Sequence, residues 1–600
     1  MELLSAGHWY GATSHGLDLM KQKLELTWIG KDARPKLEPR ILLEDPTKSY
    51  HAKHRVTEND IFDNRLIFGD NLLALKALEQ EFAGKVKCVY IDPPFNTGAA
   101  FEHYDDSLEH SVWLGLMRDR LGLLRKLLRP DGFLCCHIDD SEGHYLKVLL
   151  DEVFERSNYL ATLYVQVRYA DKTLKQDMDF HKQVEQIHVY RRAYGAKPVL
   201  EKKKAGFDKF RFAIRELAPG RTVMLGGKSV AIFAKGAWSV SEGEGHVDGL
   251  KEIWATGTIL DGNSSGRFFR DYLTGRVADD GLGALYRVKG IGDDGLEHRY
   301  FTGPARATAT KGKYYQGVPV AQRSEDAEAS TLPIENFYDL AGSFGNCRGE
   351  GGVDFRGGKK PEALLRLLLE RFSEPGDLVL DSFAGSGSTG AVAHKMGRRW
   401  IMVELGEHCH THIVPRLTRV IDGEDKGGIA EAVGWAGGGG FRYYRLAPSL
   451  LQRDRWGQWV VNKDYNAEML AAAICKLEGF TYAPSSDLYW QHGHSTESDF
   501  IYVTTQSLNA EQLQALSEEV GSTRTLLVCC GAFRVSAGTA ANRYPNLTVK
   551  KIPKMVLQKC EWGHDDYSLN VENLPSLAKT APKPAMPIAP QGSLFDGGEG

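Results

Sequence analysis

Leu378-Val379-Leu380-Asp381-Ser382-Phe383-Ala384-Gly385-Ser386-Gly387-Ser388-Thr389-Gly390 is the stretch that decides the fold class of this chain. A short apolar run ending in an acid, a glycine turn and the helical pattern Thr389 to Met396 form the opening of a nucleotide-binding unit, where glycines let ligand and helix approach the backbone. Such a unit predicts an α/β, doubly wound sheet. Gly385, Gly387 and Gly390 satisfy the dinucleotide spacing, a weak match by itself. No lysine follows the last glycine, so the cation that a P-loop aims at its phosphates is missing. Glu404 closes the next apolar run, Trp400-Ile401-Met402-Val403, about twenty residues on, where a carboxylate can accept hydrogen bonds from a ribose. NAD and S-adenosylmethionine both carry one. Asp381 separates them, because an acid before the glycines is poorly matched to a pyrophosphate but can pair with the ammonium group of a methionine moiety. The residues favour S-adenosylmethionine, with an NAD-dependent oxidoreductase as the alternative that rests on the glycine spacing.

Almost three hundred residues upstream, the apolar run Val86-Lys87-Cys88-Val89-Tyr90-Ile91 ends in Asp92-Pro93-Pro94-Phe95. Two prolines stop a strand and hold the backbone extended, so the Asp92 carboxylate, the Pro93 carbonyl and the Phe95 ring are presented together. Two acceptors and an aromatic face suit a flat, amino-bearing ring, which is how a nucleobase turned out of a duplex is held. A plain strand followed by a proline turn is the competing interpretation. Asp70, after Arg65-Leu66-Ile67-Phe68-Gly69, ends a third apolar run and also reads as the N-cap of a helix from Leu72 to Phe82. Parallel strands of an open sheet deliver their functional loops at one edge, so Asp70, Asp92, Asp381 and Glu404 are expected to meet there despite their separation in the chain.

These paired loops resemble the amino-group DNA methyltransferases of the permuted beta class, in which an Asp-Pro-Pro-Tyr/Phe loop precedes a Phe-x-Gly-x-Gly loop with a target-recognition region between them. Trp113 to Ile138, His181 to Tyr190 and Lys360-Pro361 are similar to further motifs of that class. Asn96-Thr97-Gly98, Lys311 to Pro319 and Thr548 to Pro553 look like the Mod, or modification, subunits of type III restriction-modification systems. The resemblance covers roughly residues 50 to 570. It implies catalysis by Asp92, Pro93, Pro94 and Phe95. It implies a cofactor site of Asp70 near the adenine, Lys360, Pro361, Asp381, Phe383, Ala384, Gly385, Ser386, Gly387 and Glu404. The implied reaction is methyl transfer from S-adenosylmethionine to N6 of a flipped adenine in double-stranded DNA, with a homodimer and a helicase-nuclease restriction subunit as partners. N4 of cytosine is an alternative target, and a non-catalytic DNA-recognition subunit is an alternative role.

Apolar residues make up 42% of the chain and charged residues 25%, ordinary values for a globular protein of several domains. We divide it into an N-terminal arm (1–55), a catalytic half (56–195), a target-recognition domain (196–332), a cofactor-binding half (333–446), a C-terminal α+β interaction domain (447–572) and a disordered tail (573–600). No apolar run approaches the length of a membrane span, no secretory signal opens the chain, and the nine cysteines lack zinc-knuckle spacing, which together predict a cytoplasmic protein with reduced thiols. His408-Cys409-His410-Thr411-His412 lacks distant partner ligands, so no metal site is expected. The net charge of −4 means that any grip on DNA phosphates needs local positive charge. Lys202, Lys203 and Lys204, within a basic surplus from Lys197 to Arg221, and Lys311, Lys313, Tyr314 and Tyr315 are the candidate DNA contacts. A solvated face and a hydrophilic hairpin are the respective alternatives. Gly437 to Gly440 reads as a flexible connection to a last strand near Phe441.

Overall fold

The computed structural model describes residues 24–96, 110–171, 180–203, 206–255, 264–323, 330–355, 357–534, 537–552, 559–563 and 567. Thr97, Gly98, Lys204, Pro553 and the tail 573–600 lie outside the described residues. The chain forms two compact units, one of Leu200–Ile334 and one of Met1–Val199 with Glu335–Gly600.

The larger unit is built on an 11-stranded sheet. Its strands are β1 (Leu42–Glu44), β2 (Tyr50–His51), β3 (Asn64–Phe68), β4 (Val86–Ile91), β5 (Leu128–Ile138), β6 (Tyr159–Gln166), β7 (Val184–Arg191), β8 (Phe337–Asp339), β9 (Leu378–Asp381), β10 (Arg399–Glu404) and β11 (Gly440–Leu446). They lie in the order β1-β11-β3-β10-β9-β4-β5-β7-β6-β8, with β2 also on β11. From β11 to β5 every pairing is parallel. Beyond β5 the sheet turns antiparallel through β7 and β6, so it is mixed overall.

Alternate residues of the parallel strands serve opposite cores, the two-residue period of a sheet covered on both faces. Val89, Ile91, Leu380 and Val403 pack with the helices α1 (Asn71–Phe82), α2 (His110–Leu127) and α3 (Gly143–Phe154). Cys88, Tyr90, Val379 and Met402 pack with α4 (Glu362–Phe372), α5 (Ser388–Lys395) and α6 (Val414–Ile421). Burying both faces explains why these strands read as continuous apolar runs. It also inserts β9 and β10 between β3 and β4, with Val379 paired to Cys88 and Ile401 to Arg65. The carboxyl ends that carry Asp70, Glu404, Asp381 and Asp92 are therefore consecutive along one edge.

Within the described part of the 1–55 arm, β1 and β2 pair antiparallel with β11. Buried Arg40 donates to the Ala447 carbonyl at 2.7 Å, and Glu38 accepts from Arg40, Ser449 and the Leu450 amide. Strands of three and two residues are too short to show a period. The glycine run before β11 is an ordered crossing rather than a flexible link. Gly437, Gly438 and Gly439 all have left-handed φ. The Gly438 amide donates to Ile421 O at 2.8 Å, and a Cβ on Gly439 would lie 2.7 Å from Ile61 O, so a side chain there meets backbone.

Residues after β11 add a 5-stranded sheet from Thr481–Tyr482 to Leu547–Lys551, flanked by helices that include Ala467–Glu478 and Ala510–Val520. This part belongs to the larger unit, with Lys476 Nζ donating to Ala77 O at 2.5 Å and Gln80 to Phe480 O at 3.1 Å. The smaller unit holds an 8-stranded sheet, antiparallel throughout, over a core that includes Val230, Phe268, Tyr286, Phe301 and Tyr314. Among the described residues no helix is long and apolar enough to cross a membrane.

Candidate active site

Asp92 follows the last residue of β4, where the two prolines end hydrogen bonding to the neighbouring strands. Trp113, fully buried in α2, donates its indole N–H to Pro94 O at 2.8 Å. Asn96 adopts φ 58° and donates to Glu142 Oε1 at 2.6 Å. The loop is thus pinned at Pro94 and Asn96, with the acid and the ring between β4 and those pins.

Around Asp92 lies an ionic chain. Lys360 Nζ is 3.1 Å from Asp92 Oδ1 and 3.6 Å from Glu185 Oε2. Glu185, on β7, lies 2.8 Å from His137 Nε2, and His137 Nδ1 lies 2.9 Å from the Tyr90 hydroxyl. Lys360 also sits over the Phe95 ring, 4.6 Å from its centroid. Burial pushes the Asp92 carboxyl above its usual range, against the pull of Lys360 and His137. Burial likewise opposes ionisation of Glu185, but Lys360 and His137 outweigh it and hold Glu185 at about 2. Burial disfavours the Lys360 ammonium too, yet Asp92 and Glu185 together keep it above the ordinary lysine value.

The turn after β9 is organised mainly from within. Gly385 and Gly387 have φ of 53° and 76°, the left-handed region that side chains resist, and Gly387 caps α5. Asp381 Oδ1 accepts from the Phe383 amide at 2.9 Å and Oδ2 from the Thr389 hydroxyl at 2.5 Å. Burial raises Asp381 to about 7, with nearby Asp92 and Glu404 pushing the same way and the two hydrogen bonds opposing. Glu404 braces the turn from β10: Oε2 accepts from the Gly385 amide at 2.7 Å, while Oε1 accepts from the Leu405 and Gly406 amides and pairs with His408. Below the turn, fully buried Arg416 donates to Ser388 Oγ at 2.7 Å and Ser386 O at 3.2 Å, and pairs with Glu362 at 2.8 Å. Ala384 is buried and Phe383 packs at the rim of the core on the α1 side.

Asp70 caps α1 by accepting from the Leu73 amide at 3.0 Å, and its second oxygen accepts from Arg120 and from the Tyr567 amide. Next to it, Asn71 donates to Ser382 O at 2.7 Å and ties the β3 end to the glycine turn. Pro361 is the N-cap of α4, whose first residue, Glu362, is locked by Lys395 and Arg416. The acids and turn residues read from the sequence therefore share one edge. Trp113, His137 and Glu185 lie inside the stretches Trp113 to Ile138 and His181 to Tyr190 that carry the family resemblance, but their contacts, like those of Glu142, Asn71 and Arg416, join parts of the chain that no spacing links.

Several other candidates sit differently from the sequence reading. Lys313 pairs with Glu252 at 2.6 Å, and the Tyr315 hydroxyl donates to the same carboxylate at 2.6 Å. Tyr314 and Tyr315 are each only 4% exposed, so neither ring is presented for stacking. Strand alternation and the sheet core enclose them. The exposed ring in that place is Trp254, 58% accessible, with Lys313 Nζ 4.9 Å from its centroid. Lys311 is exposed just before the strand Lys313–Gly317, and Lys202 and Lys203 lie on the strand Glu201–Lys203. In the 408–412 stretch His408 pairs with Glu404 and His410 with the Tyr443 hydroxyl, while the Phe355 ring lies against both His408 and His412.

Carboxylates gather at the glycine turn, with Arg416 below it, and this donor set fits a cationic ligand carrying hydroxyls better than a polyphosphate. Residues 86–415 match the N6_N4_Mtase family model, described as DNA methylase. The probable type III restriction-modification enzyme HindVI Mod subunit of Haemophilus influenzae is 30% identical over 427 residues, 64% of this chain and 54% of that protein. The EcoPI Mod subunit of Escherichia phage P1 is 36% identical over 181 residues, 24% of this chain and 27% of that one. The chain thus spans about half, or less, of the length of these curated relatives. Among solved structures, a PvuII DNA methyltransferase (cytosine-N4-specific) aligns with TM-score 0.31 at 14% identity, covering 64% of this chain and 94% of that one. With more than half of its length matched, this chain belongs to the N6_N4_Mtase family of DNA methylases.

Proposed function

We propose that this chain transfers a methyl group from S-adenosylmethionine to N6 of an adenine flipped out of duplex DNA, as the modification subunit of a type III-like restriction-modification system. The observation that carries this reading is the pairing of β9 with β4, which sets the Asp92 loop and the glycine turn on neighbouring strand ends. When bound, S-adenosylmethionine supplies a methyl group activated by its sulfonium. The exocyclic nitrogen of adenine is a poor nucleophile while its lone pair is delocalised into the ring. Asp92 and the Pro93 carbonyl accept its hydrogens, favour a pyramidal nitrogen, and stabilise the positive charge that develops on it. Phe95 stacks on the base, worth about 1–3 kcal/mol. Fixing nitrogen against methyl on one sheet edge supplies on the order of 7–11 kcal/mol through proximity.

With the cofactor bound, Asp381 would hold the methionine ammonium, Glu404 the ribose, and Asp70 the adenine end. The smaller unit, Leu200–Ile334, reads the target, with Lys311, Lys313 and Trp254 as DNA contacts. A restriction partner, a homodimer and a cytoplasmic setting complete the reading. Tritiated methyl transfer to mixed-sequence duplex DNA, followed by sequencing for N6-methyladenine in cells with and without the gene, tests it. Absence of any incorporated label, or label on cytosine N4, overturns the assignment.

A further inference from the structure

Lys360 holds from one position the two things that the proposed base site needs. Its ammonium is 3.1 Å from the Asp92 oxygen that would accept an amino hydrogen, and it covers the Phe95 face on which a base would stack, 4.6 Å from the ring centroid. A base stacked on that face of Phe95 would require this ammonium to move. The backbone beside Lys360 does not yield readily: Pro361 caps α4, and Glu362 is held by Lys395, Arg416 and the Ile429 amide. The four-carbon lysine stem can move where the backbone cannot.

A receiving carboxylate is already in place. Glu185 Oε2 lies 3.6 Å from the same ammonium and is fixed on β7 by His137, which the Tyr90 hydroxyl orients in turn. Resting on the methyltransferase reading above, we propose that Lys360 is a positioning residue that fills the empty base site, neutralising Asp92 and covering Phe95, and that Glu185 takes over its ammonium when the base enters. The handover leaves Asp92 with its negative charge uncompensated as the amine arrives, which is when an anionic acceptor gains most from charge developing on nitrogen. Although it is buried, Glu185 is held at about 2 by Lys360 and His137, so the receiver carries its charge at neutral pH with the ammonium beside it.

The test uses the full chain and two duplexes carrying the mapped target: one with adenine at the methylated position for KM, and one with 2-aminopurine there, which lacks the N6 amine and serves only as a probe whose fluorescence rises when the base leaves the stack. Glu185→Gln removes the receiver's charge; it is expected to reduce the fluorescence gain and raise KM for DNA about tenfold, with S-adenosylmethionine affinity by calorimetry within about twofold. Adding Lys360→Met to Glu185→Gln restores the gain, because no ammonium is then held at Asp92 and the flexible thioether chain yields to the base. Lys360→Met alone gives a gain at least equal to wild type, although turnover falls. A Glu185→Gln protein that matches wild type overturns the proposal, as does a double variant no better than the single, or a Lys360→Met protein that engages the base less well. Wild-type protein that transfers no label to DNA refutes the methyltransferase reading itself, whereas label transfer with any of those three results refutes only the handover.

Discussion

The two loops that meet at the sheet edge are built in opposite ways. The turn after β9 satisfies its acid locally: Asp381 is bonded to Phe383 and Thr389, residues within eight positions of it, and its main outside brace is Glu404 on the adjacent strand. The loop after β4 is held by residues scattered along the chain, with Trp113 on Pro94, Glu142 on Asn96, and Lys360 on Asp92. A turn whose acid is satisfied within eight positions, with Glu404, Asn71 and Arg416 bracing it from outside, makes a rigid floor for a ligand. A loop anchored from many directions can be shifted by any one of its anchors, which suits a site that must admit and release a large base.

If that contrast holds, the two loops fail differently when altered. The largest effect is expected for Asp92→Ala, which removes the acceptor: methyl transfer falls about a thousandfold while cofactor affinity by calorimetry stays within about twofold. An unimpaired Asp92→Ala enzyme would break the comparison at its centre. Next, Gly385→Val forces a β-branched residue into a left-handed conformation and disturbs the amide that Glu404 accepts, so cofactor affinity drops by about tenfold to a hundredfold. Equal affinity would show that the floor does not depend on its glycine.

A smaller effect comes from pH. Asp381, raised to about 7, is neutral below that value and ionised above it, and only the ionised form pairs with an ammonium. Cofactor affinity is therefore expected to rise about tenfold between pH 6 and pH 8, and to stay flat over that range in Asp381→Asn. Stability of the ligand-free protein runs the other way. A carboxyl whose folded pKa lies above its unfolded value stabilises the fold at low pH and loses that contribution as pH climbs toward 7. The melting advantage of Asp381→Asn over wild type should consequently grow from pH 5 to pH 8. The smallest effect belongs to Trp113→Phe, which keeps the ring and deletes the bond to Pro94 O. A loss of about fivefold in methyl transfer with unchanged cofactor binding corresponds to one buried hydrogen bond, and loss of cofactor binding instead would mean that the loops are not independent.

The legible parts of this protein were the local ones. Asp70, Asp92, Asp381 and Glu404 each end an apolar run, and strand ends of a parallel sheet share an edge, so a common edge followed from pattern while their order along it did not. The recognition residues were less legible. Lys313, Tyr314 and Tyr315 read as cations beside stackable rings, yet strand alternation turned Tyr314 into a core and left Tyr315 bonded to Glu252, while Trp254, on the paired strand, carries the exposed ring. Likewise the glycines at 437–439 looked like slack, because composition alone cannot distinguish a loose link from a crossing where backbone meets backbone.

By itself the amino-acid sequence determined the local chemistry: which runs become buried strands, where prolines and left-handed glycines stop them, and which acids stand at their ends. Tertiary structure alone decided that β9 lies beside β4, that Lys360 reaches Asp92 and Glu185 at once, and that Arg416 supports the turn from below. The reason is physical. Strand and turn preferences act over a few residues, whereas contacts across hundreds of residues are set by closing long loops against the burial of two shared cores, a balance that no short pattern encodes.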